Sequence, residues 1–287
     1  MKKLFIAVAI YCATVVMLFS CGVIWTSPPF YKVKKRVQLE EPIMDMEAYG
    51  KMGAHRRPYV YSLKSESGGK VYILGLDHTK DPHNPQLDTL RQVWDQASPT
   101  LALVEGRLGF LFTWFQDPVK SYGENGLTAK LAKEKGIDLY TWEPTKEDQI
   151  EILMQIYSPE QLAMLYAFRP YFSKMRYGKP ENPEKKLQEY LESRTDIDHL
   201  RGVFSSWTEL DSLWKRDFPD IEWRDYSDQY GWPEGYLSEM ANRSNLLRDE
   251  HMVQIILEAV KKGEIVFVAM GSSHAPRIEK ALQRSIK

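Results

Sequence analysis

Two histidines in this chain share one local grammar. Gly75-Leu76-Asp77-His78 follows the apolar run Val71–Leu74, and Gly271-Ser272-Ser273-His274 follows the apolar run Ile265–Met270. Random placement of 17 Gly and 6 His in 287 residues yields roughly 0.4 such Gly-x-x-His matches. Two matches that each end a β-rich run are therefore informative as a pair. If the two runs are neighbouring parallel strands, both imidazoles sit at the C-terminal edge of one sheet, where open α/β folds keep their chemistry. Glu105 joins them because it ends a further apolar run, Leu101–Val104. Glu143 follows the run Ile137–Tyr140 and is a weaker candidate. Two imidazoles and a carboxylate on strand ends suit a divalent metal with open coordination positions. Such a centre lowers the pKa of bound water from about 15.7 toward 7 and polarises a carbonyl. The same groups without metal suit a general base, a general acid and an orienting carboxylate.

Each residue also has an ordinary reading. A strand-end histidine is often a turn residue, and Glu105 beside Gly106-Arg107 can form a local ion pair. Asp77 and Asp81 fit turn formation, and His83 fits a solvent-exposed loop. The joint placement of His78, Glu105 and His274 is what favours function. Arg248 is a fourth member. Asn245, Arg248, Met252 and Ile256 share one stripe of a helix expected from about residue 234 to 262. Met252 and Ile256 belong in a core, so Arg248 is expected to point inward and to need an anion. Glu105, Asp249, a bound carboxylate or a developing oxyanion would each serve.

These residues need rigid elements behind them. After the strand ending at Leu74, the spacing of Leu87, Leu90, Val93, Trp94 and Ala97 predicts a helix. The strand Leu101–Val104 follows. Leu127, Leu131 and Ala132 then mark a second helix, closed by Gly136 in a C′ position, before the strand Ile137–Tyr140. This alternation predicts an α/β fold with a central, mostly parallel sheet flanked by helices. Residues from about 146 to 233 read as a helical, aromatic-rich insertion, with Phe168, Trp207, Trp214, Trp223 and Trp232 among its rings. They are expected to bury a small core of their own, to wall the sheet edge, or both. Ser273 is expected to cap a last helix, with Pro276 in its first turn.

Together the pieces resemble the TraB/GumN superfamily, which includes the Tiki-type membrane metalloproteases. More distant relatives are the erythromycin-esterase type hydrolases and the ChaN-type haem-binding lipoproteins. The resemblance rests on Gly75 to His78, Glu105, Arg248-Asp249-Glu250-His251-Met252 and Gly271 to His274, and spans about residues 70 to 285. It implies a membrane-attached hydrolase of the Tiki-like metallopeptidase kind, acting on a peptide or on a small amide or ester. His78, Glu105 and His274 would hold manganese, cobalt or zinc, and Arg248 would hold Glu105 or stabilise an oxyanion. The alternatives are a metal-independent esterase with His78 as base and a haem-binding lipoprotein.

Composition narrows the partners. A formal net charge of −1 gives no reason to expect nucleic acid. Cys12 and Cys21 both precede residue 26, so the remaining chain has no disulfide, thiol nucleophile or thiolate ligand. Lys2 and Lys3 precede an apolar stretch from Leu4 to about Trp25. Residues 1–25 read as a lipoprotein signal with Cys21 as the lipidated residue, a single transmembrane helix, or a cleaved signal peptide. Residues 26–57 read as a tether and 58–287 as the domain, expected outside the cytoplasm and held at a membrane. If Cys21 is lipidated, the Cys21→Ala variant loses the lipid-dependent gel shift and leaves the membrane fraction. If residues 4–25 span the bilayer, migration is unchanged and release still requires detergent.

Overall fold

The computed structural model describes residues 22–286 together with residues 6, 11 and 13–18. Both cysteines, and with them the lipidation reading, lie outside the described residues. Among the described residues no helix is long and apolar enough to cross a membrane. The chain divides into two compact units, Met1–Glu143 with Arg248–Lys287, and Pro144–Leu247.

The first unit is α/β. Its small sheet pairs β1 (Ile24–Trp25) with β5 (Leu111–Phe112) antiparallel. Its main sheet contains β2 (Tyr59–Lys64), β3 (Lys70–Leu76), β4 (Leu101–Val104), β6 (Asp138–Thr141) and β7 (Ile265–Gly271), in the order β2-β3-β7-β4-β6. Only β2 runs antiparallel; β3, β7, β4 and β6 are parallel. Val71, Ile73, Leu74 and Leu76 of β3 are buried, as are Val266 through Met270 of β7. Burial on both faces explains why these strands read as continuous apolar runs rather than alternating ones. The last strand of the chain is inserted between the first two parallel ones. Its register with β3 sets Gly75 opposite Met270 and Leu76 opposite Gly271, so the two Gly-x-x-His turns leave the sheet side by side.

The helix Gln86–Ala97 buries the five residues whose spacing predicts it, Leu87, Leu90, Val93, Trp94 and Ala97. Trp94 meets Phe267 of β7 edge-on at 4.9 Å. The helix Pro118–Lys135 ends at Gly136 in the left-handed conformation, as its position in the sequence suggests. That helix is broken at Gly123, which the periodicity does not show. Ser273 precedes the final helix, His274–Ser285, but makes no capping hydrogen bond with its side chain. Its backbone already has helical φ and ψ, not the extended conformation a capping serine adopts.

Residues 26–57, expected as a tether, make many contacts with this unit. Phe30 forms a parallel bridge with Thr141 and shields the exposed side of β6. The Val37 N–H donates to Gln254 at 2.8 Å, and the Lys34 N–H to Glu258 at 2.8 Å. Ile43 is buried, and the Met44 N–H donates to the Arg277 carbonyl at 3.1 Å.

The second unit is helical, with helices Lys146–Leu153, Pro159–Met175, Pro183–Arg194 and Trp207–Asp217, and the first part of Tyr236–Lys261. It buries its own aromatic core, in which Phe168 lies 4.6 Å from Trp214 and Tyr171 lies 5.1 Å from Trp223. Asp211 accepts from the Trp223 indole at 2.7 Å, so the ring's polar atom is satisfied inside that core.

The β3–β7 register generates a direct expectation. A Cβ at Gly75 would lie 2.8 Å from the Ala275 Cβ and 3.2 Å from the Ser272 carbonyl. Gly75→Ala should therefore cost about 1–3 kcal/mol of stability by overpacking, read as a lower urea midpoint. An unchanged midpoint would mean that the two turns are not packed against each other.

Candidate functional site

The C-terminal edge of the main sheet collects His78 after β3, Glu105 after β4, Trp142 and Glu143 after β6, and His274 after β7. Arg248 and Asp249 reach the same edge from the helix Tyr236–Lys261. The structure brings together all four residues singled out in the sequence, His78, Glu105, Arg248 and His274.

His78 is positioned from two sides. The turn behind it is fixed by Gln86, which accepts from the Asp77 N–H at 2.9 Å and donates to the Asp77 carbonyl at 2.6 Å. The imidazole Nδ1 bonds Glu124 Oε1 at 2.6 Å. Glu124 approaches this closely because Gly123 adopts φ +61° beside the Thr79 carbonyl, where a Cβ would sit only 2.4 Å from that oxygen. Asn125, the next residue, accepts from the Glu105 N–H at 2.9 Å and donates to Glu124 at 3.3 Å. One break in one helix thus places both the His78 partner and the Glu105 backbone.

His274 has a matching arrangement. Its Nδ1 bonds Asp249 Oδ1 at 2.5 Å. Asp249 is fully buried, and its other oxygen pairs with Arg277 Nη1 at 2.8 Å. Arg277 is buried too, and its Nε donates to the Met44 carbonyl at 2.8 Å. Asp249 was expected as a possible partner for Arg248, but its carboxylate is taken by His274 and Arg277. The His274 ring packs at a steep angle against the buried Trp142, with centroids 5.4 Å apart. Trp142 donates to the Ala269 carbonyl at 3.3 Å and accepts at its own carbonyl from His251 Nδ1 at 2.9 Å.

Glu105 is held at both carboxylate oxygens. Its Oε2 accepts from the Gly271 N–H at 2.7 Å, and its Oε1 accepts from Arg248 at 2.9 Å. His274 Nε2 is 3.7 Å from the same Oε1. A Cβ at Gly271 would lie 3.2 Å from His78 Nε2 and 3.5 Å from Glu105 Oε2. The glycine of the second motif therefore makes room for the histidine of the first. Arg248 also pairs with Glu143, the weaker sequence candidate, and stacks over Trp142 at 5.4 Å.

Electrostatics follow from this packing. Burial works to raise the Glu105 pKa, but His274, Arg248 and His78 outweigh it and hold the carboxyl down at about 2. The bond to Glu124 lifts His78 to about 9, against the opposing effect of burial. Burial likewise disfavours the Arg248 charge, and Glu143 and Glu105 more than restore it. Four carboxylates, Glu105, Glu124, Glu143 and Asp249, face two guanidiniums, Arg248 and Arg277. With neutral imidazoles the cluster carries two excess negative charges. Two imidazolium protons or one divalent cation would balance them.

Among the described residues no group of three or more His, Cys, Asp or Glu side chains stands in metal-holding geometry. The donor chemistry nevertheless fits a divalent cation. Each imidazole spends Nδ1 on a buried carboxylate and keeps Nε2 for another partner, the pattern that orients metal-binding histidines. Each Glu105 oxygen retains a lone pair beyond its present bond.

Glu124, Asn125, Trp142 and Arg277 were not found from the sequence. The available signal was Gly123-Glu124-Asn125-Gly126, two glycines around two polar side chains inside a helical segment. Comparisons with protein-family models, curated proteins and solved structures return no match.

The His78–Glu124 bond predicts a pH dependence of stability. A histidine raised from 6.5 to about 9 on folding contributes fully below pH 6.5 and loses that contribution as pH rises through 9. The imidazole is 62% exposed, so solvent screening reduces the effect to about 1 kcal/mol. Urea unfolding from pH 6 to 10 should show this loss in the native chain and a flatter profile in Glu124→Gln. Parallel profiles for the two proteins would contradict the assignment.

Proposed function

We propose that this chain is a membrane-attached hydrolase that cleaves an amide or ester with the help of a divalent metal, manganese, cobalt or zinc. The supporting observation is the pair of imidazoles whose Nδ1 atoms are each held by a buried carboxylate, with Glu105 3.7 Å from the His274 Nε2 and acting electrostatically on His78. His78, His274 and Glu105 would hold the metal. When bound, a cation of this kind supplies Lewis acidity and a water of lowered pKa. The protein's own groups then have distinct tasks. Glu124 and Asp249 fix the tautomer and direction of the two rings. Arg248 is a permanent cation at the edge, suited to the negative charge that develops on a carbonyl oxygen. Trp142 and the half-buried Glu143 keep that guanidinium in place. The resemblance to the TraB/GumN superfamily agrees with this reading, and the expected anchor in residues 1–25 supplies the membrane attachment.

The raised His78 pKa bears on the metal-free alternative. With Glu124 lifting it to about 9, the metal-free ring is protonated at neutral pH and is an acid, not a base. An esterase using His78 as base would gain rate up to about pH 9.

Equilibrium binding to the purified full chain should show about one manganese, cobalt or zinc per molecule. Asp249→Asn should weaken it about 10- to 100-fold, the usual effect of losing a partner behind a ligand. Hydrolysis of a peptide and ester panel should disappear with the metal and in His78→Ala and His274→Ala. Turnover that resists chelators and climbs toward pH 9 would replace this reading with the metal-free one.

A further inference from the structure

The chain leaving Glu105 runs into a cluster of exposed aromatic rings. Phe110 is 61% exposed, Trp114 66% and Phe115 82%. These rings are ordered against one another. Phe112 stacks on Phe115 at 5.2 Å and meets Trp114 edge-on at 5.7 Å. The loop backbone is held as well, with Gln116 accepting from the Phe112 N–H at 2.8 Å and Tyr122 donating to the Phe110 carbonyl at 3.1 Å. Large apolar side chains held outward in a fixed arrangement mark an interaction surface.

Its position in the chain identifies the occupant. β5 of this loop pairs with β1, so Ile24 lies opposite Phe112 and Trp25 opposite Leu111. β1 is the end of the apolar stretch that begins at Leu4. The Thr113 N–H donates to the Val23 carbonyl at 2.8 Å, and the Val23 N–H donates to the Leu18 carbonyl at 2.9 Å. A depression of about 590 Å³ at this junction is lined by Trp25, Trp114, Phe115, Lys130 and Lys133 among others. Trp and Phe beside Lys, at the point where an apolar segment joins a folded domain, is the composition of a bilayer interface.

We infer that the loop Phe110–Phe115 docks on the lipid bilayer surface as a second membrane contact beside the N-terminal segment. This inference rests on the membrane attachment proposed above. A second contact beside the N-terminal segment fixes the orientation of the domain at the membrane and adds buried apolar area to the attachment. Phe110 is five residues from Glu105, so the chain limits their separation to about 18 Å. The docked loop therefore holds the Glu105 edge of the sheet close to the headgroups.

The test uses the full-length chain in phosphatidylcholine vesicles with and without doxyl-labelled acyl chains. The emission lost on Trp114→Phe isolates Trp114 from the other tryptophans. That component should be quenched about two-fold or more by doxyl groups placed near the headgroups, and Phe115→Ser should reduce the quenching. Vesicle-bound protein whose Trp114 component ignores the doxyl lipids overturns the docking while leaving the anchor standing. If Trp114 is then also shielded from aqueous iodide, the loop covers a second copy of the chain instead. Protein that stays in the supernatant overturns both the docking and the membrane attachment.

Discussion

The site depends on the parallel pairing of β3 with β7 in the register that sets Leu76 opposite Gly271. This pairing brings together two turns that lie almost two hundred residues apart in the chain. Each turn then uses the other's glycine. Gly75 lies under the turn that carries His274, and Gly271 lies against the His78 ring. A side chain at either position would separate the imidazoles or tilt one of them. The glycines of the two motifs therefore act sterically, and their conformational freedom matters little here. Because β7 is central in the sheet and buried on both faces, the register is also hard to slip.

Charge builds on this geometry. Placing four buried or half-buried carboxylates near two guanidiniums is costly unless each is paired, and every one of them is. The pairs are arranged so that the imidazoles complete the balance. Glu124 and Asp249 hold the rings by Nδ1, and Glu105 lies 3.7 Å from the His274 Nε2. A ring held in this way can exchange a proton for a cation without turning over. Residues 26–57 join the same network, because Met44 holds Arg277, Arg277 holds Asp249, and Asp249 holds His274.

Much of this was legible in the sequence. The fold class, the adjacency of the two histidine turns, the arrival of Glu105 and the inward direction of Arg248 all follow from apolar runs and their spacing. Those features depend on strand order and helix periodicity, which local sequence records well. What escaped depends on local backbone exceptions. Glu124 reaches His78 because the helix Pro118–Lys135 breaks at Gly123, and periodicity averages over such a break. Arg277 looks like a surface residue of an amphipathic final helix until Met44 closes over it. The segment 26–57 lacks periodicity because it is held by individual hydrogen bonds to Gln254, Glu258 and Arg277, with no repeating face.

Buried carboxylates hold both rings by Nδ1 and leave Nε2 for chemistry. Long-range nitrogen–proton NMR of the imidazoles in the metal-free chain tests this directly. His78 should be an imidazolium at neutral pH, titrate near 9, and become the Nδ1–H tautomer above it. The neutral His274 ring should carry its hydrogen on Nδ1, toward Asp249. A His78 that titrates at its ordinary value of 6.5, with its neutral form protonated on Nε2, would show that Glu124 does not hold the ring.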